Sequence, residues 1–132
     1  MIVVDTSVWI AALRRAESAE ARHLRGLLDE DQVALAVPVR VEILSGASRR
    51  DRARLRSTLS ALPLLYASEG TWDLIDRWLD VAGAAGDRFG VGDLLVAAIA
   101  AERHCAIWSL DRDFTRMGRL GIATLHESSP RH

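Results

Sequence analysis

Four acidic residues stand where packing alone would not ask for a carboxylate: Asp5, Glu42, Asp93 and Asp111. Asp5 follows the β-branched run Ile2-Val3-Val4, and Asp111 follows Ala106-Ile107-Trp108-Ser109-Leu110. Both therefore fall at the carboxyl end of an expected strand, the edge at which open α/β sheets bind ligands. Asp93 opens the apolar run Leu94-Leu95-Val96-Ala97-Ala98-Ile99, and Glu42 lies inside Val39-Arg40-Val41-Glu42-Ile43-Leu44 after Pro38. Strand ends and helix starts face the same rim in such a sheet, so all four acids are expected to converge.

Convergence has a cost, because like charges a few ångströms apart raise each other's pKa and oppose folding. A divalent cation resolves it. Mg²⁺ and Mn²⁺ prefer oxygen ligands, and Mg²⁺ typically takes one or two carboxylates and keeps waters. Four acids leave room for one or two such ions and a phosphate. Two ions about 3.5–4 Å apart clamp the attacking and leaving oxygens of an in-line phosphodiester cleavage, and one ion with a free carboxylate still activates water. Each acid also has a plainer reading. Asp5, Asp93 and Asp111 are good helix caps for the runs after them, and Asp113 suits a first helical turn. Glu42 sits among apolar neighbours, where a fully buried Glu is rare unless paired, although Arg40 and Ser45 leave open a solvated helix side. These readings work one residue at a time and do not account for four acids on one rim.

The elements that must position these acids are set by periodicity and breakers. Strands are expected at 2–4, 33–37, 64–66, 106–110 and 122–125. Helices are expected at 8–13, 19–28, 39–45, 50–61, 71–82, 92–103 and 112–117, with Pro38 in a first turn, Gly46 as a C-terminal stop and Pro63 closing the fourth helix. Leu55, Leu59 and Leu62 form one expected buried stripe; Leu74, Ile75, Trp78 and Leu79 form another. Residues 83–92 read as a glycine-rich mobile loop without a P-loop lysine. Strands alternating with helices predict a parallel sheet covered on both faces, in one domain over 1–126 with a polar, frayed tail at 127–132.

Composition narrows the setting. A chain of 132 residues with 49% hydrophobic content has material for one core. Its net charge of −1 excludes binding a polyanion by bulk charge, so any such contact must come from a local patch or bound metal. All 17 basic residues are Arg. Cys105 is the one cysteine, read as a small buried hydrophobe. No paired thiols, no basic leader and no run near the roughly 20 apolar residues of a span predict a cytoplasmic protein with no membrane partner.

At its acidic motifs the chain resembles the PIN domain and, within it, the VapC toxins. The similarity covers about residues 1–126. Ile-Val-Val-Asp-Thr-Ser-Val-Trp resembles the family's opening strand and helix. Val-Arg-Val-Glu-Ile-Leu-Ser-Gly resembles the second motif and puts its acid at Glu42. Gly-Asp-Leu-Leu-Val-Ala-Ala-Ile-Ala resembles the third, with Asp93. Ser-Leu-Asp-Arg-Asp-Phe resembles the fourth, with Asp111 and Phe114, and departs from it in having Ser109 where Thr is usual. The resemblance implies a five-stranded parallel sheet in a Rossmann-like three-layer α/β fold. It implies a Mg²⁺- or Mn²⁺-dependent endoribonuclease leaving 5′-phosphate and 3′-hydroxyl ends. Asp5, Glu42, Asp93 and Asp111 would be its catalytic acids, with Asp5, Asp93 and Asp111 on metal and Asp113 a candidate extra ligand. Thr6 and Ser109 would support the acids by hydrogen bonds. A homodimer, a VapB-like antitoxin partner and a cellular RNA substrate (tRNA, rRNA or mRNA) are implied as well.

Other residues carry less. Arg49, Arg50, Arg52, Arg54 and Arg56 make a basic helix face, either simply solvated or a phosphate track that positions RNA without reading sequence. Trp78 and Trp108 fit the core; Trp9 and Trp72 fit the core or a partner surface. The histidines have no ligand spacing. Two other functions compete with the toxin: a PIN nuclease of RNA maturation or DNA flaps, and an inert partner-binding module. The small size, with no helical arch, argues against flap chemistry. A phosphatase or receiver domain fits poorly, because Ser7 stands where a second Asp is needed.

Overall fold

Short β-branched and alanine-rich runs make the centre of the molecule. The structure, a computed structural model, describes residues 1–126, so the tail expected at 127–132 lies outside the described residues. β1 (Ile2–Val4) leads into α1 (Thr6–Arg14) and α2 (Ala19–Asp29). β2 (Val33–Ala36) is followed by α3 (Val37–Gly46) and α4 (Arg49–Leu59), and β3 (Leu64–Leu65) by α5 (Glu69–Ala84) and α6 (Val91–Glu102). β4 (Ala106–Trp108) and α7 (Arg112–Arg119) complete the described elements. The strands pair in parallel in the order β3-β2-β1-β4. Every residue of β1 and β2 is buried, as strands covered on both faces require.

That order places a switch point beside β1. The chain steps outward from β1 through β2 to β3, then returns across the sheet to β4. Parallel crossovers are right-handed, so the outward and returning connections cover opposite faces. A crevice opens where they diverge, at the carboxyl ends of β1 and β4, which pair from Ile2 opposite Ala106 to Val4 opposite Trp108. The Asp5 amide extends this pairing to the Trp108 carbonyl at 2.9 Å.

Among the described residues the sheet has four strands where five were expected. The segment expected as the fifth meets β4 in a single parallel bridge, Ile107 with Leu125. It is flanked by hydrogen bonds from Ile107 N to the Thr124 carbonyl and from His126 N to the Ile107 carbonyl, both 2.8 Å. The chain reverses at Gly121, whose φ of +76° suits glycine, and Leu125 then packs over α7. A Cβ added to Gly118 would stand 3.0 Å from Leu125 Cδ1, so contact with the helix takes the place of a longer ladder.

Other differences are local. Gly46 ends α3 inside the helix, with Ala47 in extended conformation as the cap. Val37 joins that helix, not the strand. Residues 83 and 84 extend α5, and Val91 begins α6, so the glycine-rich loop is only 85–90. Leu79 (51% exposed) and Trp72 (50% exposed) face solvent, not the core. Leu59 is buried, while Leu55 and Leu62 pack partly against the core. Trp9, Trp78 and Trp108 are buried. The start of α5 is tied to the end of α6: the Ser68 amide donates to Thr71 Oγ1 at 2.8 Å, and that hydroxyl donates to the Glu102 carboxylate.

Phe114 and Met117 anchor α7, with 1% and 0% exposure. Truncating Phe114 to Ala leaves a cavity under the helix that begins after Asp111. It should cost roughly 3–5 kcal/mol of stability, measurable as a lowered urea midpoint at unchanged slope; an unaltered midpoint would show that α7 is not held by this ring.

Candidate active site

Asp5 is the buried acid of the rim, 6% exposed. It occupies the N-cap position of α1, yet its side chain makes no capping hydrogen bond. Its Oδ2 accepts instead from Ser7 Oγ at 2.9 Å and from Ser109 Oγ at 2.8 Å. Each of those hydroxyls accepts in turn from a backbone amide of the chain leaving β4. The Leu110 N–H donates to Ser7 Oγ, and the Asp111 N–H to Ser109 Oγ, both at 3.0 Å. Two relays thus end on one carboxylate oxygen, and Oδ1 stays outside that network. A lone buried carboxylate is strongly unfavourable, and these donations offset part of that penalty at Asp5.

Asp93, Asp111 and Asp113 form the tightest acidic group, each offering a carboxylate oxygen within 4.8 Å of the others. Asp93 lies in the first turn of α6, whose N-cap is Gly90, so the capping position expected of Asp93 belongs to that glycine. Asp111 does cap α7, accepting from the Asp113 N–H at 2.9 Å through Oδ1. Capping and membership of the acidic group are compatible, because the carboxylate has a second oxygen. Asp113 joins the group while its Oδ1 is ion-paired to Arg116 Nη2 at 2.6 Å. The group therefore contains an acid that was only a candidate extra ligand.

The electrostatics record the crowding. Asp93 is pushed up to about 6, first by burial, then by the charges of Asp111, Asp5 and Asp113 and a hydrogen bond with Asp113. Glu42 is exposed as a residue, on the open side of α3 beside exposed Val41, so its apolar neighbours do not bury it. Its carboxyl is still raised above the ordinary glutamate range, by partial burial of the group and then by the charge of Asp5. The Thr6 hydroxyl lies near enough to oppose that rise, but it is buried and makes no hydrogen bond of ordinary geometry. All four expected acids thus meet at one rim, Asp5 acting on both Glu42 and Asp93.

An all-carboxylate donor set fits a hard divalent cation such as Mg²⁺ or Mn²⁺. The orphaned Thr6 hydroxyl beside it is what a site completed by an ion and its waters would leave unpartnered. Ser109 supports an acid as expected, and Thr6 does not bond Asp5. Sequence reasoning missed Ser7; its place two residues after Asp5 on a helical turn is the available signal. It missed Arg116 too, since a charge one turn after Asp113 reads as an ordinary helix pair. Arg52 binds the end of α3, donating to the Leu44 and Ala47 carbonyls at 3.1 and 3.2 Å. Arg49, Arg50, Arg54 and Arg56 are exposed, with Arg54 near Asp51.

The raised Asp93 sets a pH dependence. An acid whose native pKa exceeds its unfolded one holds protons preferentially in the native state, so acidification favours the fold across that interval. Metal-free protein should gain stability as pH falls from about 6 toward 3.8 through this group. Asp93→Asn should remove the gain and be the more stable protein at pH 7. Carboxyl ¹³C titration should place the Asp93 midpoint near 6, falling in Asp111→Asn; a midpoint in the ordinary aspartate range would refute the crowding.

Comparison with known proteins agrees with this geometry. The PIN domain family profile matches residues 2–120. VapC ribonuclease Mb1587 of Mycobacterium bovis and ribonuclease VapC11 of Mycobacterium tuberculosis are each 32% identical over 133 residues, covering 91% of this chain and 93% of the relative. In fold the chain is similar to VapBC2 from Rickettsia felis, solved bound to a DNA fragment from its promoter. The TM-score is 0.77 at 18% identity, covering 96% of this chain and 98% of that one. Sheet order, acidic rim and sequence similarity together make the chain a member of the PIN-domain family, with VapC ribonucleases among its relatives.

Proposed function

We propose that the chain is a Mg²⁺- or Mn²⁺-dependent endoribonuclease, the toxin of a type II toxin–antitoxin pair. One observation carries this reading: three carboxylates within 4.8 Å of one another beside a fourth, Asp5, held by two hydroxyls. Asp5, Asp93 and Asp111 would hold the ion, with Asp113 as a further ligand. Such an ion, when bound, neutralises the acids, polarises a phosphoryl oxygen and eases deprotonation of water. The protein's own groups do the rest. Ser7 and Ser109 keep Asp5 Oδ2 occupied, so that Oδ1 is the oxygen left to bind. Glu42, with its raised proton affinity, would accept the proton of the attacking water as a general base. The Thr6 hydroxyl supplies a donor beside it. The expected products carry 5′-phosphate and 3′-hydroxyl ends.

The substrate class is cellular RNA, whether tRNA, rRNA or mRNA. Exposed Arg49, Arg50 and Arg56, with Arg54 beside Asp51, would line a phosphate track, whereas Arg52 is engaged in the fold. The relatives' names support a ribonuclease, and the rickettsial neighbour's VapBC assembly supports a VapB-like antitoxin as partner. Among the described residues no helix is long and apolar enough to cross a membrane, and the cytoplasm, where such RNAs and antitoxins reside, is the proposed location. A homodimer is part of the same reading, with exposed Trp72, Leu79 and Val91 as the apolar surface it would cover. Light scattering should give twice the 14.5 kDa chain mass, and a monomer at micromolar concentration would remove that part.

Purified protein should cut RNA but not single-stranded DNA in Mn²⁺, stop on chelation and resume on metal return. Asp5→Asn and Asp93→Asn should each abolish cleavage and growth arrest while the circular dichroism spectrum is kept. Full activity in both variants would overturn the reading, and a wild-type protein that binds no metal at millimolar concentration would favour an inert binding module.

A further inference from the structure

Arg116 joins the acidic group to the segment that carries one of its members. Its Nη2 pairs with Asp113 Oδ1 at 2.6 Å, and its Nη1 pairs with Asp87 Oδ1 at 2.8 Å. Its guanidinium also lies over the buried Phe89 ring, 4.8 Å from the centroid. Asp87 and Phe89 belong to the 85–90 connection between α5 and α6. That connection leaves α5 through Gly86, at φ +75°, with the Asp87 amide bonded to the Ala82 carbonyl at 2.8 Å. It ends at Gly90, the N-cap of α6, just ahead of Asp93. One side chain on α7 therefore grips the approach to Asp93 from one side and Asp93's neighbour Asp113 from the other.

We infer that Arg116 is a positioning residue of the metal site: by bridging Asp87 and Asp113 over Phe89, it sets the start of α6 against α7 so that Asp93 meets Asp111 and Asp113. The inference rests on the nuclease reading above. The chemistry of the side chain supports it. A guanidinium is a rigid planar fork that reaches two carboxylates and stacks on a ring at once, whereas an ammonium is a single flexible point charge. Partly exposed ion pairs are individually weak; three contacts on one planar group share a single ordering cost.

Two roles for Arg116 predict opposite signs. If it acted only as a positive charge beside the acids, it would repel an incoming divalent cation, and removing it would tighten metal binding. If it acts as a clamp, removing it loosens the site. Asp87 pairs with Arg116 without being one of the three converging carboxylates. Losing its negative charge would weaken cation binding by itself, so in an Asp87 variant the exchange of 86–93 is what reports the clamp.

The test is Mn²⁺ titration calorimetry on wild type, Arg116→Ala, Arg116→Lys and Asp87→Ala, with hydrogen exchange of residues 86–93 in the metal-free proteins. Arg116→Ala and Asp87→Ala should each weaken Mn²⁺ binding by about 10- to 100-fold, the usual cost of removing a supporting contact behind metal ligands. Both should speed exchange at 86–93, and Arg116→Lys should fall between wild type and Ala. If Arg116→Ala fails to fold, Asp87→Ala, at a partly buried side chain, carries the test through its exchange at 86–93. Unchanged or tighter Mn²⁺ binding in Asp87→Ala, or unchanged exchange, overturns the clamp while leaving the nuclease reading intact. Absence of Mn²⁺ binding in the wild type overturns both.

Discussion

The mutual repulsion of carboxylates at the carboxyl ends of β1 and β4 is the constraint around which the rest is arranged. Nothing about folding favours bringing Asp5, Glu42, Asp93, Asp111 and Asp113 to one rim, and the elevated Asp93 at about 6 records the cost. The surrounding structure offsets part of it. Ser7 and Ser109 donate to Asp5, the α7 backbone donates to Asp111, and Arg116 pairs with Asp113. Asp93 has no comparable donor among the described hydrogen bonds, and its pKa is raised. A site that stays electrostatically unfinished in this way is poised for a cation.

The scaffold holds that rim with very short strands. β1 and β4 have three residues each, so their alignment depends on the residues just beyond them. The Asp5 amide bonds to the Trp108 carbonyl, and two serine hydroxyls cross between the strand ends. Backbone pairing and side-chain relays are thus continuous at the carboxyl edge, where Asp5 leaves β1 and the chain leaving β4 leads to Asp111. Glu42 differs. It stands on the open side of α3 and meets the rim through the charge of Asp5, as would suit the general base proposed for it.

Much of this is legible in the residues, for identifiable reasons. Ile2-Val3-Val4 and Val33 to Ala36 are buried strands because an all-apolar run has no solvent face to offer. The acids at 5 and 111 can be placed on one edge because both stand at the ends of such runs. The fifth strand is realised only as a single parallel bridge, because Leu125 meets Ile107 of β4 while the same side chain packs on Gly118 of α7. Leu79 misleads because periodicity marks an apolar stripe without saying what covers it. The side-chain network is least visible: Ser7 and Arg116 are ordinary residues in helices, and only three-dimensional proximity gives them their partners. Glu42 feels the charge of Asp5, but its apolar neighbours do not bury it.

The central claim is that these acids hold a divalent cation, and crystals soaked in Mn²⁺ test it most directly through anomalous scattering. The account predicts a peak within coordination distance of Asp5 Oδ1 and the carboxylates of Asp93 and Asp111, lost in Asp93→Asn crystals. Well-ordered crystals with no peak at this rim, or with Mn²⁺ bound only elsewhere, would contradict it.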